Sequence, residues 1–594
     1  MSRLEQAPPS RTARTGLSRT ADGETVPTAA ERAGGTTSVP GGTGWAGRAR
    51  LMGWLAPLAV TLVAFGMRVW RLGDPARFAF DETYYAKDAW SLLNFGYVRS
   101  YLDQVDGVDV NDAILDGRTT GVWAEDPSMI VHPEVGKWLI ALGEKAFGMD
   151  PFGWRISAAV VGSLMVLVMC RLVLRLTGSL LLGCLAGALL ALDGMHLVLS
   201  RVALLDIFLA FFLLCGVACV VNDRYWMRAR MARLVQEGGD PPGSGDWGPV
   251  RGLLLRPWLL LGGVSFGLAV GTKWTALFPL AALGLLTWLW SAGARRSFGV
   301  RWAVLRSAVV DGVPAFASLV VVAGLVYTAT WTGWLVHADQ YEEHLSSTQY
   351  TRFVAERPCT GSGEDRTTDH EIAETGRWPT ATEPDASGLG EVTQSLRSLW
   401  YYHQDVYTFH SHFLNCSDHT YESKPLAWPL LNRTVGVAAD LDIAPGEQGC
   451  AAPEDSECLE QVLLLGTPMI WWAGCLALLY AAAVWLGARD WRFGLAVVGF
   501  ASTWLPWTAY DDRPIFSFYA IAMLPFLVIA LTLGIGRLIG PTRPGGPRRT
   551  GGVVVAGSFV VLVLVNAAWF WPVWTHELLT RSEWLDRMWF RHWI

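Results

Sequence analysis

Apolar runs close to twenty residues long, nearly free of charge, recur from residue 52 to residue 572 of this chain. A helix needs about 20 such residues to cross the hydrocarbon core of a bilayer. Within that core only helices or closed barrels satisfy their own backbone polar groups. Barrel strands alternate apolar and polar side chains, whereas these runs are continuous. The pattern predicts helical spans near residues 52–70, 153–176, 179–198, 202–222, 257–272, 274–291, 307–330, 463–486, 491–509, 515–538 and 552–572. The expected fold class is an all-α polytopic membrane protein with about 11 transmembrane helices. The 31 tryptophans agree with it, because Trp and Tyr settle at the headgroup level of each crossing.

Orientation follows from the basic residues. Arg171 and Arg175, then Arg224 to Arg256, Arg295 to Arg306, Arg489 and Arg492, and Arg543 to Arg549 fall in alternate connections. Lys and Arg concentrate on the cytoplasmic side, so the N-terminus is expected in the cytoplasm and the C-terminus outside a cell membrane. Residues 1–48, rich in Ser, Thr, Gly, Pro and Arg, are expected to form a disordered cytoplasmic tail. They are too polar for a signal peptide, and the first span is expected to stay as an anchor. Residues 49–330 then form an N-terminal region that includes an outer loop, 71–152. Residues 331–462 form a second extracytoplasmic loop, and 463–594 a C-terminal region of four spans. The arginines lie in short loops rather than on one basic face, which excludes nucleic acid as a partner.

Cys170, Cys184, Cys215, Cys219 and Cys475 lie in or beside apolar spans and are expected to pack as small hydrophobes. Cys359, Cys416, Cys450 and Cys458 share the second outer loop, where an oxidising compartment lets disulfides persist. Cys450 with Cys458 is the simplest pairing. The cysteine spacing is not that of a metal site.

The first outer loop opens with Phe80-Asp81-Glu82-Thr83-Tyr84-Tyr85-Ala86-Lys87. Adjacent carboxylates at a membrane surface can supply a general base and a hydrogen-bonding or metal-binding partner, and burial raises a carboxylate toward its working range. The structural alternative is a helix start, with Asp81 favoured by the helix dipole. Further along come Asp126 and the run His132-Pro133-Glu134-Val135-Gly136-Lys137. There Lys137 could meet an anion or simply snorkel to the interface. Arg155, Arg201, Lys273 and Arg513 stand at expected outer boundaries, against the orientation bias. An anionic lipid headgroup would account for them, since Arg grips phosphate through parallel hydrogen bonds. Asp206, inside an apolar span, requires a partner, and Arg201 five residues away is the expected one.

These motifs resemble the protein O-mannosyltransferases, membrane enzymes of the GT-C glycosyltransferase class, and the actinobacterial branch most. The carrying residues are Phe80 to Tyr85, His132 to Lys137, Arg201-Val202-Ala203-Leu204-Leu205-Asp206, Lys273-Trp274 and the block His419 to Leu430. Glu134 stands where the family usually has a second proline. The second outer loop is too short and too poor in strand repeats for a β-trefoil module.

The resemblance implies a GT-C type bundle, a polyprenyl-phosphate-mannose donor and a Ser or Thr hydroxyl on a secreted polypeptide as acceptor. It makes Asp81 the general base of a single inverting displacement, with Glu82 orienting acceptor or base. It gives the lipid phosphate to Arg155 first, then to Lys273, Arg201 or Arg513. Tyr85, Asp126, His132, Lys137 and Asp206 remain further candidates. No cofactor is required by this scheme, and a divalent metal at the outer carboxylates stays open. Membrane lipids and a protein-export channel are the expected further partners. The rival of the same class is a GT-C lipid-phosphate-sugar transferase acting on a cell-wall glycan or lipid. A transporter would place ionisable residues at mid-membrane in paired broken spans, which this sequence does not do.

Overall fold

The computed structural model describes residues 43–237, 247–346, 377–411, 414, 418–540 and 547–594. Each apolar run carries at least one helix. In chain order the main helices are α1 (Thr43–Val69), α2 (Glu82–Phe95), α3 (Val135–Phe147), α4 (Pro151–Thr177), α5 (Leu180–Ala191), α6 (Asp206–Glu237) and α7 (Pro257–Val270). They continue with α8 (Leu277–Ser297), α9 (Ala303–Thr330), α10 (Leu389–Ser411), α11 (Pro468–Ala488), α12 (Trp491–Trp504), α13 (Leu524–Ile539) and α14 (Pro547–Trp574). Seven helices among the described residues are long and apolar enough to cross a membrane: those within α1, α4, α6, α8, α9, α11 and α14. The other four expected spans meet α5, α7, α12 and α13, of 12 to 16 residues. At about 1.5 Å per residue these helices taken alone are shorter than a hydrocarbon core of about 30 Å.

Local chemistry sets the boundaries. Asp150 caps α4 by accepting from Gly153 N at 2.7 Å, Pro151 begins the helix, and Gly178 ends it with φ 69°. This is the expected order of cap, proline and left-handed glycine. Helix α1 begins at Thr43, earlier than the expected end of the tail at residue 48, and residues 1–42 lie outside the described residues.

The expected spans 491–509 and 515–538 are helical only in part. Helix α12 passes into a 3-10 turn at Leu505–Ala509, and another turn, Ser517–Ala522, precedes α13. Pro506, Pro514 and Pro525 interrupt this stretch, each removing a backbone donor. The unwound segment carries Arg513, Phe516 and Tyr519.

Among the described residues the strands fall in the first outer loop, at the end of the second and just past the last span. Strands β1 (Arg99–Tyr101) and β2 (Trp123–Pro127) pair antiparallel in the first loop. In the second, β3 (Val435–Ile443) pairs with β4 (Cys458–Leu464), and β4 with β5 (Leu579–Thr580). Cys450 is bonded to Cys458; Cys359 and Cys416 lie outside the described residues.

Candidate active site

Phe80 holds a left-handed backbone, φ 52°, an uncommon conformation for a bulky residue, with a cost of about 1–3 kcal/mol. Its ring meets Phe516 and Phe518 edge-on. The turn sets Asp81 at the N-cap of α2, where its side chain makes no capping bond. Asp81 instead lines a cavity of about 620 Å³ and accepts a hydrogen bond from the Tyr85 hydroxyl at 3.3 Å. Burial pushes its carboxyl up to about 6, opposed by the charge of Lys273 and assisted by that of Asp206.

Glu82 turns the other way and is fully buried. Its Oε1 accepts from Arg155 Nε and Ala203 N, and its Oε2 from Arg155 Nη2 and Ala79 N, all at 2.8 Å. Arg155 also donates to the carbonyls of Leu72, Pro75 and Arg77. All five guanidinium N–H groups and all four carboxylate lone pairs are therefore engaged. In this arrangement the two expected site residues serve each other and the backbone. Arg155 has no donor left for a lipid phosphate, and Glu82 has no acceptor left to orient a substrate. Together they clamp the segment that leads into Asp81.

Arg201 is engaged in part, with no bond made by its Nε among the described residues. Its Nη1 and Nη2 cap the carbonyls of Met67, Arg68, Trp70 and Arg71 at the end of α1. Asp206 takes Lys273 as its partner instead, Nζ to Oδ2 at 2.8 Å, and Lys273 also lies 4.8 Å from the Tyr519 ring centre. Asp126 is exposed on β2 and pairs with His344, away from the cavity.

The remaining candidates meet. His132, Lys137, Tyr85 and Arg513 line the same cavity as Asp81. Lys137 is buried and paired to Asp88 at 2.8 Å. Helix α3, which carries it, is pressed close to its neighbours at Gly136, where a Cβ would fall 2.7 Å from Leu205. His132 stacks on His410, ring centres 5.2 Å apart. His410 Nε2 donates to Val131 O at 2.9 Å, which leaves Nδ1 to accept from Arg513 Nη1 at 2.9 Å. Burial and the neighbouring Arg513 lower His410 to about 4, so the ring is neutral. Among the described residues Arg513 forms no ion pair with a carboxylate, although Asp81, Asp88 and Asp418 line the same cavity.

The cavity has two continuations. One of about 240 Å³ shares His132, His410, Arg513 and Tyr519 with it and adds Lys273. A third, of about 700 Å³, meets the second at Trp274, Leu277 and Tyr407 and runs along apolar residues of α7, α8 and α9 such as Val270, Leu280 and Val320. Carboxylate, guanidinium and apolar groove thus follow one another.

Residues 58–235 match the family dolichyl-phosphate-mannose–protein mannosyltransferase, and residues 395–593 match the C-terminal four-transmembrane region of protein O-mannosyltransferases. The polyprenol-phosphate-mannose–protein mannosyltransferase of Mycobacterium tuberculosis strain H37Rv is 33% identical over 550 residues, covering 92% of each chain. The chain belongs to the protein O-mannosyltransferase family. A Corynebacterium glutamicum relative of the same name is 30% identical over 519 residues, 86% of this chain and 88% of that one. The S. cerevisiae protein O-mannosyltransferase Pmt1-Pmt2 complex bound to the sugar donor superposes with a TM-score of 0.60 at 14% identity, covering 91% and 92% of the two chains. The fold is accordingly that of a GT-C membrane glycosyltransferase.

Both regions matched to the mannosyltransferases line the cavity: Asp81, Tyr85 and His132 come from the first, His410, Arg513 and Tyr519 from the second. Sequence reasoning missed His410 and Tyr519. The available signal for His410 was the spacing His403, Tyr407, His410 on α10, at positions i, i+4 and i+7 of one helical face. Tyr519 sits in a stretch expected to be an apolar span, which concealed it.

Proposed function

We propose that this enzyme transfers mannose from polyprenyl-phosphate-mannose to Ser or Thr hydroxyls of secreted polypeptides at the outer face of the cell membrane, with the N-terminus in the cytoplasm and the C-terminus outside. The observation that carries the reading is the sequence of environments along the joined cavities. A carboxylate with no ion-pair partner among the described residues lies at one end, Arg513 in the middle and an apolar groove at the other end. A lipid-linked sugar phosphate presents matching parts: sugar, anionic phosphate and hydrocarbon.

Asp81 accepts the acceptor hydroxyl proton while that oxygen bonds to the anomeric carbon from the face opposite the phosphate. The anomeric carbon–oxygen bond breaks in the same step, configuration inverts, and polyprenyl phosphate leaves carrying the electron pair. Arg513 neutralises the charge that develops on the leaving phosphate, with Lys273 as a second, more committed cation. His410 holds the guanidinium of Arg513 in place. Coupling to a protein-export channel would present unfolded Ser/Thr segments to the open side of the cavity, and crosslinking between the two tests it.

The direct test is transfer of labelled mannose from polyprenyl-phosphate-mannose to a Ser/Thr-rich peptide by membranes carrying wild-type or Asp81→Asn protein. Loss of transfer with donor binding retained is expected; full activity would overturn the assignment of the base. A glycolipid acceptor run beside the peptide distinguishes the rival acceptor class.

A further inference from the structure

Away from this cavity, three parts of the chain converge on a second polar pocket of about 310 Å³. The segment Arg71 to Arg77 forms one side, Asp440 on β3 and Glu460 on β4 form another, and His576, two residues past α14, closes it. Asp440 and Glu460 are direct partners across the antiparallel pair. Like charges placed opposite one another on neighbouring strands destabilise a sheet, so the arrangement requires something between them. Arg77 answers only part of the need: its Nη1 donates to Asp440 Oδ1 at 2.7 Å, which leaves Oδ2 facing His576.

His576 is 5% exposed, and its backbone is left-handed, φ 57°. Its Nε2 lies 3.2 Å from Asp440 Oδ2 and its Nδ1 lies 3.4 Å from Glu460 Oε2. Yet Nε2 is buried without a hydrogen-bond partner. A neutral imidazole has one N–H and one lone pair. Placed between two carboxylates it can satisfy one and must point its lone pair toward the other. A cation resolves that conflict, because it accepts the imidazole lone pair and a carboxylate oxygen together. One ligand atom from each of the three residues lies within 4.8 Å of the others, the one such group among the described residues. Three carboxylates (Asp74, Asp440, Glu460) face two guanidiniums (Arg71, Arg77) around the pocket, so the site carries a net negative charge before any ion enters.

We infer that His576, Asp440 and Glu460 form a binding site for a divalent transition cation, separate from the transfer site. One imidazole and two carboxylates suit Zn²⁺ or Co²⁺. Arg77 acts as an outer partner that orients Asp440, as ligand carboxylates commonly require. The ion would tie the hairpin β3–β4 and the end of α14 to the segment that Arg155 clamps on its other side. Its place is structural: it would fasten the approach to Asp81 without touching substrate.

The test uses full-length protein in detergent, purified without a polyhistidine tag, stripped with chelator and equilibrated separately with Zn²⁺ and with Co²⁺. About one equivalent of Zn²⁺ should remain after gel filtration, and the melting temperature should rise on loading, since an ion that binds only the folded state stabilises it. Co²⁺ should give visible d–d absorption. Glu460→Gln and His576→Ala should each lose the ion and the melting shift, whereas Asp81→Asn should keep both. If His576→Ala does not fold, Glu460→Gln carries the comparison. Wild-type protein that binds no ion above a buffer blank overturns the inference and leaves an imidazolium bridging the two carboxylates. Stoichiometric metal retained in Glu460→Gln overturns it as well.

Discussion

Beneath Asp81, Arg155 has an acceptor for every donor and Glu82 a donor for every lone pair, and neither residue is exposed. In the cavity Arg513 gives a hydrogen bond to a neutral histidine and forms no ion pair with a carboxylate among the described residues. Arg155 is fully buried near the start of α4 and Arg513 is partly buried in the unwound segment before α13, and they suit different work. A saturated guanidinium fixes backbone; one that faces a cavity without an ion-pair partner is prepared for an anion. The same division separates Asp81 from Glu82, neighbours on the chain.

The largest effect expected is at Asp81. Asp81→Asn keeps size and removes the proton acceptor, and loss of a general base costs about 10²–10⁴-fold in rate. Peptide mannosylation should fall by that factor while the melting temperature stays near wild type. Arg155→Ala should reverse the pattern. It leaves the Glu82 carboxylate buried without its partner, at a cost of about 3–5 kcal/mol in fold stability. The measurement is thermal unfolding in detergent beside donor KM. A stable Arg155→Ala protein with a raised donor KM would erase the distinction between the two arginines.

Arg513→Ala should sharpen it. A hydrogen bond to a charged group contributes about 1.5–3 kcal/mol, so donor use should weaken by roughly 10–100-fold. Acceptor KM and thermal stability should change little. Donor kinetics equal to wild type would remove Arg513 from the phosphate and leave Lys273 as the next cation to test.

The bundle was legible because apolar runs of membrane length have one structural outcome, and because Asp150, Pro151 and Gly178 announce the ends of α4 in order. The site was legible as a set of residue types but not as an arrangement. Asp81 and Glu82 sit about 100° apart on the start of a helix, and nothing local says which of them faces inward. That is decided by Arg155, 73 residues away. The Arg201–Asp206 pairing failed for a related reason. Five residues apart, they are divided by the helix start at Asp206, and the end of α1 offers Arg201 a cluster of carbonyls that no sequence window contains. His410 meets Val131 across 279 residues, a contact only the closed bundle creates.

The pH dependence gives the finest probe of the open wall. Asp81 must be ionised to accept a proton, and burial places its carboxyl at about 6. Transfer should therefore be lost as pH falls through about 6 and level off above it, about tenfold per pH unit on the acid side. The Tyr85 hydroxyl donates to Asp81 Oδ2, a bond that favours the charged form and holds the value down. Tyr85→Phe removes that donor, so the acid limb should move to higher pH. A neutral donor contributes about 0.5–1.5 kcal/mol, and one pKa unit is about 1.4 kcal/mol. At 3.3 Å the lower part of that range applies, which predicts a shift of about half a unit. Rates above pH 8 should be unchanged, because Asp81 is then ionised in both proteins. An acid limb that moves to lower pH in Tyr85→Phe would mean that another group titrates in the rate, and Asp81 would lose its place as the base.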